Sequence, residues 1–204
     1  MSNVYIISAP SGAGKTSLVK GVCGLLPFVK PAVSYTTRKI RESEENGKDY
    51  YFISKKEFED KIKSNEFLEY QDVYGHMYGS TLESVRSITS VGSDVILEID
   101  YKGMLAVKKV LSQAISIYIS PPSIEALKDR LLSRGEDDEN VINKRMASSR
   151  KEMNYAQYAD YILVNDDFNE ALIILKSIIM FNRMSHVNIA DWAKKMININ
   201  NRIV

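Results

Sequence analysis

The segment "SAPSGAGKTS", residues 8–17, constrains this chain more than any other. It follows the apolar run "VYII" at residues 4–7 and precedes Val19, Val22, Cys23 and Leu26 at helical spacing, with Pro27 as a stop. A strand, a turn of small residues and an amphipathic helix, in that order, aim backbone N–H groups and a helix N-terminus at one point. That point is a cradle for anionic oxygens. The segment departs from the Walker A pattern at its first position, Ala9, and fits it at Gly14, Lys15 and Thr16. Gly12 and Gly14 leave room for the backbone to approach a phosphate, Lys15 brings a point charge to its outer oxygens, and Thr16 offers a hydroxyl to Mg²⁺. The bland alternative, a glycine-rich turn that merely caps a helix, is disfavoured by the flanking strand and helix.

The strand-then-helix pattern returns at "VILEI" (95–99) before a helical stretch to about Leu111, at "ISIYI" (115–119) before one from Ser123, and at "YILV" (161–164) before a third. Such alternation predicts an α/β fold, a P-loop parallel sheet with helices on both faces. Residues 1–32 and 91–204 are expected to form this core. Between residues 33 and 90 the texture shifts to Tyr, Ser, Thr, Arg and Glu, with turn signals at Asn46-Gly47 and Tyr74-Gly75, which predicts an inserted lobe. Residues 134–150, "RGEDDENVINKRMASSR", are highly charged yet keep Val141, Ile142 and Met146 at helical spacing, which predicts a helical lid within the core.

Charge narrows the partners. With 27 Lys+Arg against 26 Asp+Glu the net charge is +1, so neither nucleic acid nor a membrane is attracted in bulk and a small molecule is expected. The single cysteine excludes an internal disulfide framework, and an opening with no basic leader reads as cytoplasmic. No window approaches the roughly 20 apolar residues that span a bilayer. The oligomeric state stays open, with a homo-oligomer among the options.

Two further constellations carry chemistry. In "VILEID" Glu98 and Asp100 fall on one side of a strand, with Asp100 nearer the edge where open α/β sheets bind ligands. Asp100 is therefore expected either to hold hydrated Mg²⁺ together with Thr16 or to cap the helix that begins near Tyr101. In the inserted lobe, Arg38 and Arg41 are spaced to converge on one phosphate, and Tyr50 and Tyr78 can donate hydroxyls to it without adding charge. Glu69 can accept from the N1–H and exocyclic amine of guanine, whereas adenine presents an unprotonated nitrogen there. Hydroxyls of Ser34 and Ser80 can complete that edge. Singly, each of these residues is more ordinarily a solvated surface group, so the reading rests on their joint pattern.

The order "SAPSGAGKT", "SYTTR", "GKDYYF", "FLEY", "YGS", "LEID", "RLLSRG", "NKRM" and "VNDD" resembles guanylate kinase from the N-terminus to about Ile179. The resemblance implies transfer of the γ-phosphoryl group of ATP to GMP, giving ADP and GDP in purine nucleotide metabolism, with Mg²⁺. By motif it places ATP on Ser11, Gly12, Ala13, Gly14, Lys15, Thr16 and Ser17, with Arg134 in the lid and Asn165 near the adenine. It places the GMP phosphate on Arg38, Arg41, Tyr50 and Tyr78, and the guanine on Ser34, Glu69, Ser80 and Asp100. Lys15, Arg38, Arg134 and Arg145 are the implied catalytic charges. Asp100 thus keeps two candidate roles, base and metal, and Asn165 or Asp166 can equally be a helix cap. The chain departs from the family's usual residues at Ile40, Ser43 and Lys102, besides Ala9.

Around these, Arg130, Lys144 and Arg150 read as a solvated, salt-bridged surface. Phe168, Ala171, Leu172, Leu175 and Ile179 form an apolar stripe expected in the core, as is Cys23. His76 and His186 make no metal set. From about Val187, with Trp192, the chain lies beyond the resemblance. Two rivals remain: an interaction module of the same fold that has lost catalysis, and a P-loop kinase for another phosphate ester. The first would lack Lys15 and the lid arginines, and the second would not need Glu69.

Overall fold

Tyr5, Ile6 and Ile7 are fully buried in β1 (Val4–Ser8), the middle strand of a five-stranded sheet. The structure, a computed structural model, describes residues 2–73, 75–133 and 139–184, with only the backbone described at 139–141, 143 and 144. Arg134, the first part of the expected lid, His186, Trp192 and the stretch from Val187 lie outside the described residues. After β1 come α1 (Lys15–Leu25) and β2 (Val29–Pro31), then β3 (Tyr35–Thr36), β4 (Tyr51–Phe52), α2 (Lys55–Lys63), β5 (Phe67–Val73), β6 (His76–Thr81) and α3 (Leu82–Thr89). The first sheet resumes with β7 (Asp94–Glu98), followed by α4 (Tyr101–Val110), β8 (Ile115–Ser120), α5 (Ile124–Ser133), α6 (Glu139–Met153), a 3-10 turn (Asn154–Tyr158), β9 (Tyr161–Val164) and α7 (Phe168–Arg183).

The five strands run parallel in the order β2-β7-β1-β8-β9. Because side chains alternate across a strand, Tyr5 and Ile7 face one core and Ile6 the other. On the first face Leu18, Val22, Leu175 and Ile179 of α1 and α7 close over the sheet. On the second, Val85, Met104 and Val107 of α3 and α4 do so. Burial on both faces explains why the strands read as continuous apolar runs. The expected α7 stripe is realised at Ala171, Leu175 and Ile179, whereas Phe168 is 41% exposed. Cys23 packs beside that core, and burial pushes its thiol up to about 11, which keeps it unreactive.

A second sheet, ordered β4-β3-β6-β5, is built from the segment between β2 and β7. Strands β5 and β6 pair antiparallel with a register shift between Phe67 and Glu69. That irregularity turns Leu68 and Glu69, adjacent residues, both inward. Ser54 and Glu57 cap α2 reciprocally and so fix where the helix leaves β4. In the parallel sheet β1 is followed by a crossover to one side, while the connection from β7 leads to the other side of β1. The C-terminal ends of β1 and β7 therefore flank the crevice in which such sheets bind ligands.

Candidate active site

A cavity of about 470 Å³ opens at those strand ends. Its floor is the turn from Ala9 to Thr16, one wall is the second sheet with Ser34, Glu69 and Tyr78, and the opposite wall is α6 with Arg145, Ser148 and Glu152.

In the turn, Ala13 N donates to Pro10 O (3.1 Å), and Gly12 and Gly14 adopt φ of +94° and +88°. L side chains rarely adopt that left-handed region. A side chain at Gly14 would also collide with Asn165 Nδ2. Asn165 is buried, and its Nδ2 donates to Ala13 O (2.7 Å). Asn165 therefore grips the turn's backbone, and the cap expected at Asn165 or Asp166 is made instead by Asp167, which accepts from Glu170 N (2.9 Å). Arg130, expected in solvent, donates through Nη2 to Asn165 O (2.8 Å) and has a buried Nη1. It ties α5 to the loop after β9, a contact that no local spacing announces.

Lys15 is the first residue of α1, and its Nζ donates to Ile99 O (3.0 Å) at the end of β7. Thr16 Oγ1 donates to the Glu98 carboxylate. Asp100 lies past the strand, and its Oδ1 accepts from Gly103 N (2.8 Å) as the cap of α4, one of the roles the sequence leaves open for it. The first N–H groups of a helix lack partners within it, and Asp100 is placed to satisfy one. Asp100 still lines the cavity. Ser17 is exposed on α1.

Across the cavity Glu69 is 6% exposed, and its Oε1 accepts from Ser80 N (3.1 Å). A Cβ at Gly103 would lie 2.8 Å from Glu69 Oε2, so glycine there lets the first turn of α4 close on the carboxylate. Burial pushes the Glu69 carboxyl up to about 7, with Asp100 adding to the shift while Ser80 and Lys15 oppose it. The hydroxyls of Ser34 and Ser80 meet at 3.0 Å. Tyr50 and Tyr78 pack edge to face with centroids 5.7 Å apart, and burial pushes the Tyr50 hydroxyl up to about 12, which keeps it a neutral donor.

Arg38 and Arg41 both meet Glu44. Arg38 Nε donates to Tyr78 OH (3.2 Å), whereas Arg41 is exposed and contributes its backbone N–H to Glu44 (2.9 Å). On α6, Ser148 Oγ donates to Glu152 (2.6 Å). Burial and nearby Asp100 raise the Glu152 carboxyl, while Ser148, Lys15 and Lys102 hold it down. Sequence reasoning missed Ser148 and Glu152, although their helical spacing from Arg145 places all three on one face. Of the departures, Ile40 is 49% exposed, Ala9 is buried, and Lys102 lines the cavity.

A family model described as guanylate kinase matches residues 1–182. The guanylate kinase of Methylococcus capsulatus is 45% identical over 183 residues, covering 89% of each chain. That of Legionella pneumophila (strain Lens) is 38% identical over 196 residues, covering 96% of this chain and 94% of its own. Among solved structures, the guanylate kinase of Anaplasma phagocytophilum superposes with a TM-score of 0.73 at 26% identity, over 91% of this chain and 88% of its own. A glycine turn facing a buried carboxylate, together with a match over residues 1–182, carries one conclusion: the chain belongs to the guanylate kinase family.

Proposed function

We propose that the chain transfers the γ-phosphoryl group of ATP to GMP, with ATP on the turn of residues 9–16 and GMP against the second sheet. The observation that carries this reading is Glu69, a buried carboxylate in the same cavity as Lys15, with its flanking hydroxyls at Ser34 and Ser80. A carboxylate there accepts both N1–H and the exocyclic amine of guanine and opposes the same edge of adenine. Asp100, at the lip of α4, belongs to this base side in the proposal. Tyr50, Tyr78 and Arg38 receive the GMP phosphate. Arg41 joins them by resemblance.

A phosphate oxygen of GMP attacks Pγ while the bond from Pγ to the bridging β-phosphate oxygen breaks, with the electron pair leaving on ADP. The attacking oxygen is already anionic, so no general base is required. The chain's residues act by position and charge. Ser11, Gly12, Ala13 and Gly14 cradle the ATP phosphates, Asn165 holds that cradle from behind, and Lys15 exchanges Ile99 O for phosphate oxygens. Arg145 reaches the transferring group from α6. Arg134, outside the described residues, joins it on the resemblance. Thr16 and Glu98 offer hard oxygen donors that fit Mg²⁺, an ion that takes few protein ligands and completes its shell with water and phosphate. Bound there, Mg²⁺ supplies charge neutralisation at the transferring phosphate.

We place the reaction in purine nucleotide metabolism, in the cytoplasm. No helix among the described residues is long and apolar enough to cross a membrane.

Calorimetric titration with GMP and AMP tests the acceptor, and binding of GMP but not AMP is expected. The pH dependence is specific. Guanine selects the ionised Glu69, so binding releases a proton wherever the free carboxyl is protonated. With that group titrating at about 7, affinity should be constant at higher pH and weaken by about tenfold per unit at lower pH. Guanosine, which has no phosphate to titrate, isolates this effect. A flat profile for guanosine between pH 5 and 8 contradicts the assignment of Glu69.

Arg145→Ala should lower kcat more than it weakens GMP binding, because a charge aimed at the transferring group acts chiefly in the transition state. Steady-state kinetics beside a GMP titration checks this. An unchanged kcat returns Arg145 to a structural role.

A further inference from the structure

Arg38 is held from its far end. A guanidinium carries five N–H donors in one plane. Nε donates to Tyr78 OH at 3.2 Å, Nη1 to Lys39 O at 2.7 Å and to Glu44 Oε2 at 3.0 Å, and Nη2 to Glu44 Oε1 at 2.6 Å. Beyond these bonds there remains the second N–H of Nη2. In a planar guanidinium that hydrogen lies on the Nε edge, the edge turned to Tyr78, and Tyr78 is a residue of the cavity lining. Glu44 thus grips the opposite end.

Glu44 is itself anchored. Its Oε2 also accepts from Arg41 N (2.9 Å), and both side chains of the pair are only 14% exposed. The Arg38 guanidinium lies 5.7 Å from the Tyr50 ring centroid and 5.6 Å from that of Phe52, so aromatic faces bound it as well. Arg38 holds the Glu44 carboxyl below the usual carboxylate range, and the pair stays ionised at neutral pH.

We propose that Glu44 is a positioning residue for the acceptor phosphate: by gripping the Nη1–Nη2 end of Arg38 it aims the Nε edge, together with the Tyr78 hydroxyl, at the phosphate of GMP. The inference rests on the acceptor reading above and adds to it a residue that touches no substrate. A free arginine side chain loses rotamer entropy when it is immobilised by a ligand, and one already fixed loses less. Against this stands the negative charge of Glu44, which weakens the pull of Arg38 on a dianion. A carboxylate that competed with the phosphate for Arg38 would give the opposite result on removal.

The test is a set of titrations with Glu44→Ala and Glu44→Gln, each in the wild-type and the Arg38→Ala backgrounds, with thermal melts to confirm folding. Glu44→Ala should raise Kd for GMP by about tenfold, the size of one lost orienting interaction. Kd for guanosine and KM for ATP should stay at wild-type values, since neither involves the acceptor phosphate. Glu44→Gln keeps an acceptor for Nη2 and should recover part of the loss. In the Arg38→Ala background the Glu44 substitutions should change nothing further. Unchanged or tighter GMP binding in Glu44→Ala, an equal loss for guanosine, or a full effect without Arg38 overturns this inference alone. Wild-type protein that fails to bind GMP overturns the acceptor reading and this inference with it.

Discussion

Lys15→Ala is expected to lower kcat by about 10²- to 10³-fold, the loss typical of one preorganised charge donor, while GMP binding stays near its wild-type strength. In the structure the ammonium already sits at the end of β7, donating to Ile99 O, so it needs no search to meet the ATP phosphates. Its long-range pull also helps keep Glu69 ionised, though less than the Ser80 bonds do. Removing it should therefore weaken GMP binding slightly at pH 7 and not at pH 8.5. Single-turnover kinetics with GMP titrations at both pH values check the pair of claims. Near-wild-type turnover would show that the glycine turn is only a helix cap.

Glu69→Gln separates a guanine reader from a general phosphate kinase. The amide keeps the size but offers guanine one acceptor and one mismatched donor, so about 1–3 kcal/mol of base discrimination should be lost. The kcat/KM for GMP should fall by roughly one to two orders of magnitude, that for AMP should hold or rise, and KM for ATP should barely change. Stability moves the other way. Because the folded-state carboxyl titrates above its ordinary value of 4.5, the fold favours its neutral form, and the stability contributed at low pH is lost as pH rises through about 7. The amide, still able to accept from Ser80 N, escapes that loss. The variant should therefore melt higher than wild type at pH 8, and the difference should close toward pH 4. A lower melting temperature at pH 8 would mean that the carboxylate is held by contacts other than those described.

The parts of the site legible in the sequence are those whose logic is local. Gly12, Gly14, Lys15 and Thr16 fall within one short run from the turn into the start of α1, so their spacing carries their geometry. The parallel core was legible because strands buried on both faces must be continuously apolar, as in residues 4–7 and 115–119. The sequence singles out Glu69 for its chemistry, but its burial comes from an irregular register in β5 that no alternation rule anticipates. Glu98 and Asp100 share a side of an ideal strand, but the strand ends at Glu98, and the orphan N–H groups at the start of α4 engage Asp100, a contact that alternation along a strand does not show. Contacts between distant segments left no trace. Arg130 meets Asn165 across 35 residues and Asn165 meets Ala13 across 152, distances at which only the assembled sheet decides proximity. The Arg38–Glu44 pair was hidden differently, since six residues of loop have no period to read.

The most direct measurement is ADP release from ATP with GMP, AMP, CMP and UMP as alternative acceptors, on the wild-type chain with Mg²⁺ present. The account predicts rapid turnover with GMP and turnover lower by orders of magnitude with the other three. Comparable rates with AMP and GMP, or no turnover above the ATP-only background with GMP, would contradict it.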